Sequence, residues 1–202
     1  IIIDEKFKVL SWEELIFIFA KHYLSENKIK KGSVIVTNEI ANHGLDISLR
    51  KLGIKLKRVK VGDKNILKEI IDNKYFFGGE PSGHFIFKDD ILIGDGMTTA
   101  IRLLTLILKK NKKLSELRKG IDLFEVININ QRIDIEKFYL SQESIYQKLN
   151  KLCKNLDIYY NIRPSGTEPL LRVNLQYEKR NIKVSILNKL KTQIIKVISD
   201  AC

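Results

Sequence analysis

The sequence contains little cysteine, proline or histidine: two, three and three residues of 202. Cys153 and Cys202 lie far apart and form neither a disulfide framework nor a metal-ligand spacing. Cys153 falls in a helical apolar pattern and is interpreted as a small core residue, while the terminal Cys202 is interpreted as inert. So few thiols are typical of a reducing compartment, and we expect a cytoplasmic protein.

Long apolar runs are also missing. No stretch approaches the roughly 20 residues needed to cross a membrane, so we expect no membrane partner. The start, Ile1-Ile2-Ile3-Asp4, has neither the cationic region nor the cleavage site of a signal peptide. We interpret residues 1–9 as a strand with its isoleucines buried, cut from something larger, and residues 1–10 as the tail of a preceding domain.

Negative charge is in deficit, with 24 acidic against 36 basic residues and a formal net charge of +12. The lysines are scattered and are not interleaved with aromatic residues, as a base-stacking surface requires. We therefore expect no nucleic-acid partner, although the charge leaves that alternative open. The positive field also favours an anionic small substrate. No two histidines have the spacing of metal ligands on a helix, so we expect no metal site in this chain.

Two patterns of secondary structure follow one another. Between residues 11 and 123, short strands alternate with helices of about ten residues, which predicts an α/β domain of three layers around a mixed, mainly parallel sheet. Ser11 and Glu14 form a capping box ahead of the first helix, and Asp95 is expected to cap a later one. Residues 124–202 predict a smaller α+β domain in the order β-α-β-β-α.

Residues 78–84, Gly-Gly-Glu-Pro-Ser-Gly-His, form the first candidate site. Glu80 and Ser82 alternate on one side of the loop and can accept and donate hydrogen bonds to vicinal sugar hydroxyls. His84 can exchange a proton near neutral pH. A plain turn with a solvated glutamate is the competing interpretation, and spacing alone slightly favours it.

Residues 163–169, Arg-Pro-Ser-Gly-Thr-Glu-Pro, form the second candidate site. Arg163 offers a bidentate fork to phosphate oxygens, Ser165 and Thr167 offer hydroxyls, and Gly166 can take φ > 0 to open a backbone nest for an anion. A hairpin turn whose hydroxyls cap their own backbone is equally compatible with the spacing. Together the two loops predict a phosphosugar ligand, and we expect folding to bring them to its opposite ends.

Asp63 and Lys64 follow a predicted strand, where α/β sheets place ligand residues. A loop ion pair or a helix N-cap explains them equally well. They are therefore a third, weaker candidate for substrate binding.

The combined motifs resemble the α-D-phosphohexomutase family. The matching segments follow the family's order over nearly the whole chain: residues 60–64 (Lys-Val-Gly-Asp-Lys), 79–84, 94–97 (Gly-Asp-Gly-Met), 124–129 and 163–170. The resemblance implies a four-domain enzyme that interconverts 6-phospho and 1-phospho sugars through a bisphosphate intermediate. Residues 11–123 then correspond to its third, sugar-binding domain and residues 124–202 to its fourth, phosphate-binding domain.

By this resemblance, Glu80, Ser82 and His84 bind the sugar, and Arg163, Ser165, Gly166 and Thr167 bind the phosphate that is not transferred. The segments around Asp63 and Phe124 favour glucosamine over glucose or mannose, which stay open. Two departures are visible. Lys64 stands where the family commonly has arginine, and residues 37–42 match the family only in part.

The family's phosphoserine loop and its magnesium loop do not occur in this sequence. We therefore expect no catalytic residue in this span, and no turnover from this chain alone, because phosphoryl transfer needs both. The full-length enzyme would use Mg²⁺ held by residues outside this chain, and a sugar bisphosphate activator. The chain is thus expected to be the C-terminal portion of a mutase, with a separate N-terminal half or a homo-oligomer as possible partners. A stand-alone phosphosugar-binding module is the alternative.

Overall fold

The structure is a computed structural model that describes residues 1–90, 92–179 and 182–202. The chain forms two compact units, Ile1–Leu123 and Phe124–Cys202. Each unit has its own hydrophobic core.

The first unit contains five helices and four strands within its described residues. In chain order they are α1 (Trp12–Ser25), β1 (Val34–Asn38), α2 (His43–Lys51), β2 (Lys55–Val59), α3 (Asp63–Asn73), β3 (Phe77–Gly79), β4 (Phe85–Phe87), α4 (Gly96–Lys110) and α5 (Leu114–Leu117). The sheet order is β2-β1-β3-β4. β1 pairs in parallel with β2 and β3, whereas β3 and β4 pair antiparallel.

Helices cover both faces of this sheet. Ile35 packs with residues of α1, α2 and α4 in the larger core, while its neighbour Val36 packs with Ile66 and Ile70 of α3 on the other face. This follows from the alternation of side chains along a strand. The predicted three-layer fold with a mixed sheet is confirmed.

Helix α1 begins where the sequence predicts it. The Ser11 hydroxyl accepts from the Glu14 backbone N–H at 3.2 Å, and the Glu14 carboxylate accepts from the Ser11 N–H at 2.8 Å. Further along α1, the Phe19 ring contacts Phe85 and Phe87 at centroid distances of 5.8 and 5.3 Å. The helix therefore packs directly against the hairpin that carries the first candidate loop.

The prediction of a buried strand over residues 1–9 is wrong. Ile3 and Val9 form only an isolated antiparallel bridge, and Ile1 and Ile3 are exposed. The chain turns back on itself because the buried Asp4 carboxylate accepts the backbone N–H groups of residues 6 and 8, both at 2.9 Å. Phe7 completes the turn with φ +60. Whether residues 1–10 belong to a preceding domain stays a prediction.

The second unit contains β5 (Glu125–Arg132), α6 (Ile135–Lys154), β6 (Tyr159–Pro164), β7 (Leu170–Tyr177) and α7 (Val184–Ser199). Its antiparallel sheet has the order β5-β7-β6. Alternate apolar residues of the sheet, such as Ile162 and Val173, pack with residues of α6 and α7, and Cys153 is buried among them. Burial raises the pKa of the Cys153 thiol to about 11, which supports its interpretation as a core residue.

Helix α6 is longer than the apolar pattern indicates. The spacing of Ile145, Leu149 and Leu152 predicts a helix from Gln142. The helix begins earlier, at Ile135, because Asp134 caps it by accepting the backbone N–H groups of the second and third helical residues. Among the described helices, none is both long and apolar enough to cross a bilayer.

Candidate functional site

The turn between β3 and β4 carries the first candidate loop. The backbone N–H of Glu80 donates to the His84 carbonyl at 3.2 Å, and the N–H of Gly83 donates to the Glu80 carbonyl at 3.0 Å. Gly83 has φ +84, a left-handed conformation that glycine adopts without a steric penalty. The loop is therefore an ordered turn with a glycine at the position that requires one.

Glu80 and Ser82 face each other across this turn. The Ser82 hydroxyl donates to Glu80 Oε1 at 2.8 Å, and its oxygen lies 3.4 Å from the backbone N of His84. Glu80 is only 7% exposed although it carries a carboxylate. A nearly buried carboxylate with one hydroxyl partner retains acceptor capacity, and sugar hydroxyls can use it.

The imidazole of His84 lies between two carboxylates. Its Nδ1 is 3.7 Å from Asp63 Oδ2 and 3.8 Å from Glu80 Oε1. These distances are longer than hydrogen bonds, so the interaction is electrostatic and requires a protonated ring. The structure thus brings together Asp63, Glu80, Ser82 and His84, which lie in two separate segments of the sequence.

Lys64 is placed differently. It is exposed in the first turn of α3, and its backbone N–H donates to Asp63 Oδ1 at 2.7 Å. Within the described residues its side chain makes no hydrogen bond or ion pair with the cluster. Asp63 itself is the first helical residue, because the N-cap position is occupied by Gly62, which provides no side-chain cap.

The segment from Gly94 to Gly96 contacts the cluster from another side. A Cβ atom built on Gly94 would lie 2.6 Å from the His84 Cβ, so only glycine permits this approach. Asp95 caps α4, as predicted, by accepting the N–H groups of Met97 and Thr98. Hydrogen bonds from Thr98, then from Met97, lower the pKa of the Asp95 carboxyl, and the nearby His84 lowers it further. Sequence analysis assigned Asp95 its cap but missed the contact between Gly94 and His84.

A cavity of about 610 Å³ adjoins the same turn. Ser82 and His84 form part of its wall, together with the start of α4, and the first twelve residues supply an apolar wall that includes Trp12. Glu80 and Asp63 do not line this cavity. It is large enough for a small ligand, but the carboxylates that can bind hydroxyls lie outside it.

The second candidate loop joins β6 to β7 in the other unit. The Ser165 N–H donates to the Leu170 carbonyl at 2.7 Å, which closes the turn. Gly166 and Thr167 are exposed at its tip. Gly166 can take φ > 0 but does not do so in this turn, since its φ lies outside that region, and a Cβ there would meet nothing within 4 Å. The backbone of this turn therefore does not require a glycine at its tip.

Arg172 belongs to this site and was missed by sequence analysis. Its Nη2 donates to Ser165 Oγ at 3.0 Å and lies 3.6 Å from Glu168 Oε2. Arg172 pairs directly with Arg163 across the two strands, so both guanidinium groups stand on the same face of the sheet. Within the described residues the Arg163 side chain has no hydrogen bond or ion pair. Two neighbouring cations beside a hydroxyl-bearing turn are suited to an anion.

The other two histidines of the sequence lie at helix ends, away from the Glu80 cluster. His43 is the first residue of α2. His22 lies in the last turn of α1 and is partly buried, which lowers its pKa. The described residues contain no group of three or more His, Cys, Asp or Glu side chains that could hold a metal ion.

Comparison with known proteins identifies the class. Residues 12–124 match the family model "Phosphoglucomutase/phosphomannomutase, alpha/beta/alpha domain III". This segment contains the whole cluster around Glu80 and covers more than half of the chain. The chain belongs to the phosphoglucomutase/phosphomannomutase family.

Its relatives include two proteins named phosphoglucosamine mutase. That of Caldanaerobacter subterraneus subsp. tengcongensis is 38% identical over 182 residues, which are 88% of this chain and 40% of the relative. That of Clostridium botulinum is 35% identical over 202 residues, covering 98% of this chain and 44% of the relative. The chain thus spans less than half the length of these relatives.

Solved structures share the fold. N-acetylglucosamine-phosphate mutase in its substrate complex has a TM-score of 0.77 and 16% identity, over 95% of this chain and 44% of that one. The Aspergillus fumigatus N-acetylphosphoglucosamine mutase, solved with GlcNAc-6P and magnesium, has a TM-score of 0.76 and 15% identity, over 98% and 46%. At these identities the likeness concerns the fold.

Proposed function

We propose that this chain is the C-terminal portion of a phosphoglucosamine mutase, which converts glucosamine 6-phosphate to glucosamine 1-phosphate for cell-wall precursor synthesis. The chain supplies sugar and phosphate recognition. The phosphoryl donor and the Mg²⁺ ligands lie in other parts of such an enzyme. This chain therefore does not carry out the phosphoryl transfer itself. A sugar bisphosphate is the intermediate that the two recognition sites would accommodate.

The observation that carries this proposal is the cluster of Glu80 with Ser82, His84 and Asp63. The Glu80 carboxylate accepts from sugar hydroxyls, the Ser82 hydroxyl donates to one of its oxygens, and the His84 ring adds a further hydrogen-bonding group beside the two carboxylates. The names of the relatives favour an amino sugar. An amine on the sugar carries a positive charge, which such a carboxylate pair attracts.

In the second unit, Arg163 and Arg172 bind the phosphate that is not transferred. Arg163 provides the free guanidinium fork, and Arg172 holds the Ser165 hydroxyl in place. Gly166 and Thr167 contribute backbone N–H groups and a hydroxyl from the exposed tip of the turn. The phosphate is on one end of the sugar in the substrate and on the other end in the product. The same phosphate-binding site therefore serves both.

Calorimetry with glucosamine 6-phosphate tests the assignment. Arg163→Ala removes a charge-assisted contact worth about 1.5–3 kcal/mol and is expected to weaken binding about tenfold or more. Lys151→Ala is the matched control, because it removes the same charge from α6, which covers the apolar face of the sheet. Equal affinities of the two variants would contradict the phosphate assignment.

The family description favours a second candidate, a phosphoglucomutase or phosphomannomutase. The same titration with glucose 6-phosphate and mannose 6-phosphate separates the two. A preference for glucosamine 6-phosphate supports the first candidate. A preference for glucose 6-phosphate or mannose 6-phosphate supports the second.

A further inference from the structure

Asn38, the last residue of β1, has a buried side chain with no partner. The residue is 0% exposed, and neither Nδ2 nor Oδ1 has a hydrogen-bond partner within the described residues. A buried amide gives up its hydrogen bonds to water, so leaving it unpaired costs free energy. Buried side-chain polar atoms are mostly paired, which makes an unpaired amide at a strand end informative about function.

The strand register places Asn38 between the two segments of the candidate sugar site. On one side Asn38 pairs with Val59, four residues before Asp63. On the other side Val36 pairs with Gly78, and extending that register by two residues sets Asn38 beside Glu80. The amide therefore lies at the carboxyl edge of the sheet, where the Asp63 and Glu80 segments leave it.

The side chain also faces the correct layer. Val36 packs against Ile66 of α3, and Asn38, two residues further on, lies on the same face. A Cβ on Gly78 would meet both Val36 and Ile66, so Gly78 faces α3 as well. The same alternation directs Glu80, two residues after Gly78, towards the side on which Asn38 lies.

Asn38 has unused hydrogen-bond donors, and Glu80 has unused acceptor capacity. Within the described residues, the Glu80 carboxylate accepts one hydrogen bond, from Ser82, while the Asn38 amide has two unused N–H groups. A nearly buried carboxylate gains most from additional donors. The geometry points to Asn38 as a positioning residue for Glu80: in the sugar-bound state its Nδ2 donates to the carboxylate and fixes which oxygen faces the sugar hydroxyls. This inference rests on the proposed phosphosugar binding.

Two isosteric variants isolate the polarity of the side chain. Asn38→Val and Asn38→Thr have the same shape, but only threonine keeps a donor. Because a polar group at this buried position has no partner within the described residues, we expect Asn38→Val to unfold at a higher temperature than Asn38→Thr. We expect the affinity for glucosamine 6-phosphate to follow the opposite order, with wild type tightest, Asn38→Thr intermediate and Asn38→Val about tenfold or more below wild type.

A Glu80→Gln background shows whether Asn38 acts through Glu80. There the difference in affinity between the valine and threonine variants is expected to fall below about twofold, because the charged acceptor is gone. Equal affinities of the two variants in the wild-type background would overturn the inference while leaving phosphosugar binding intact. A difference that persists in the Glu80→Gln background would also overturn it. Failure of the wild-type chain to bind any hexose phosphate would overturn the proposed function and this inference together.

Discussion

The conformation of the Glu80 turn depends on a glycine at position 83. Its φ of +84 lies in the left-handed region, and a Cβ there would meet nothing within 4 Å. Gly96, at the start of α4, also has open space around a Cβ but no positive φ. Because an alanine would cause no steric clash at either position, comparing the two substitutions isolates the effect of conformational strain.

We expect Gly83→Ala to destabilise the first unit by about 1–2 kcal/mol through this strain. Gly96→Ala is the control and is expected to be neutral or to stabilise by about 0.4–1 kcal/mol, since it reduces the freedom of the unfolded chain. Urea unfolding followed by tryptophan fluorescence reports on this unit, because Trp12 is the single tryptophan. Equal unfolding midpoints for the two variants would contradict the role given to Gly83.

Sequence reasoning identified Glu80, Ser82, His84 and Asp63 as candidates because their residue types suit a sugar. It missed Asn38, Gly94 and Arg172 for a common reason. Each acts through a neighbour in space: Asn38 through the register of β1, Gly94 through its contact with His84, and Arg172 through its pairing with Arg163. A one-dimensional pattern shows residue type and spacing, whereas these contacts depend on strand register and close backbone approach.

The N-cap of helix α4, Asp95, lies near His84 of the candidate site. The same carboxylate therefore affects both the stability of the helix and the electrostatics of the site. The Asp95 carboxylate accepts from Met97 N–H at 3.2 Å and from Thr98 N–H at 2.7 Å. Hydrogen bonds from Thr98 hold the pKa of the carboxyl below its ordinary value. Charge on this group therefore favours the folded state.

A depressed folded-state pKa fixes the sign of the pH dependence. The contribution of Asp95 is fully present above its unfolded pKa, about 3.9, and is lost as the pH falls through the lower folded value. Asp95→Asn keeps a good cap but has no carboxyl to titrate. We expect wild type to be the more stable protein at pH 6 and the difference in unfolding midpoint to shrink towards pH 3. A difference that is constant over this range would show that the carboxylate charge contributes nothing.

Among the larger elements, those with caps and clear apolar periodicity were predicted well. Helix α1 follows its capping box, and β5 to β7 follow their apolar alternation. The errors occur where local polar contacts override an apolar pattern. Asp4 folds the isoleucine-rich start into a turn, and Asp134 starts α6 about two turns before its apolar stripe becomes visible.

Across the whole molecule, the proposed function assigns recognition of the sugar to the first unit and recognition of the phosphate to the second. The first unit contains the nearly buried Glu80 carboxylate, to which we assign the sugar hydroxyls, and the second contains the paired Arg163 and Arg172, to which we assign the phosphate. The net charge of +12 adds a general attraction for anions. A ligand that carries both a sugar and a phosphate should therefore bind more tightly than either part alone.

Titration of the chain with glucosamine 6-phosphate, glucosamine and inorganic phosphate, at one ionic strength, tests this claim most directly. We expect the phosphosugar to bind at least about tenfold more tightly than either fragment, which corresponds to about 1.4 kcal/mol from the second contact. If inorganic phosphate binds as tightly as glucosamine 6-phosphate, the Glu80 cluster contributes nothing to recognition and the account is contradicted.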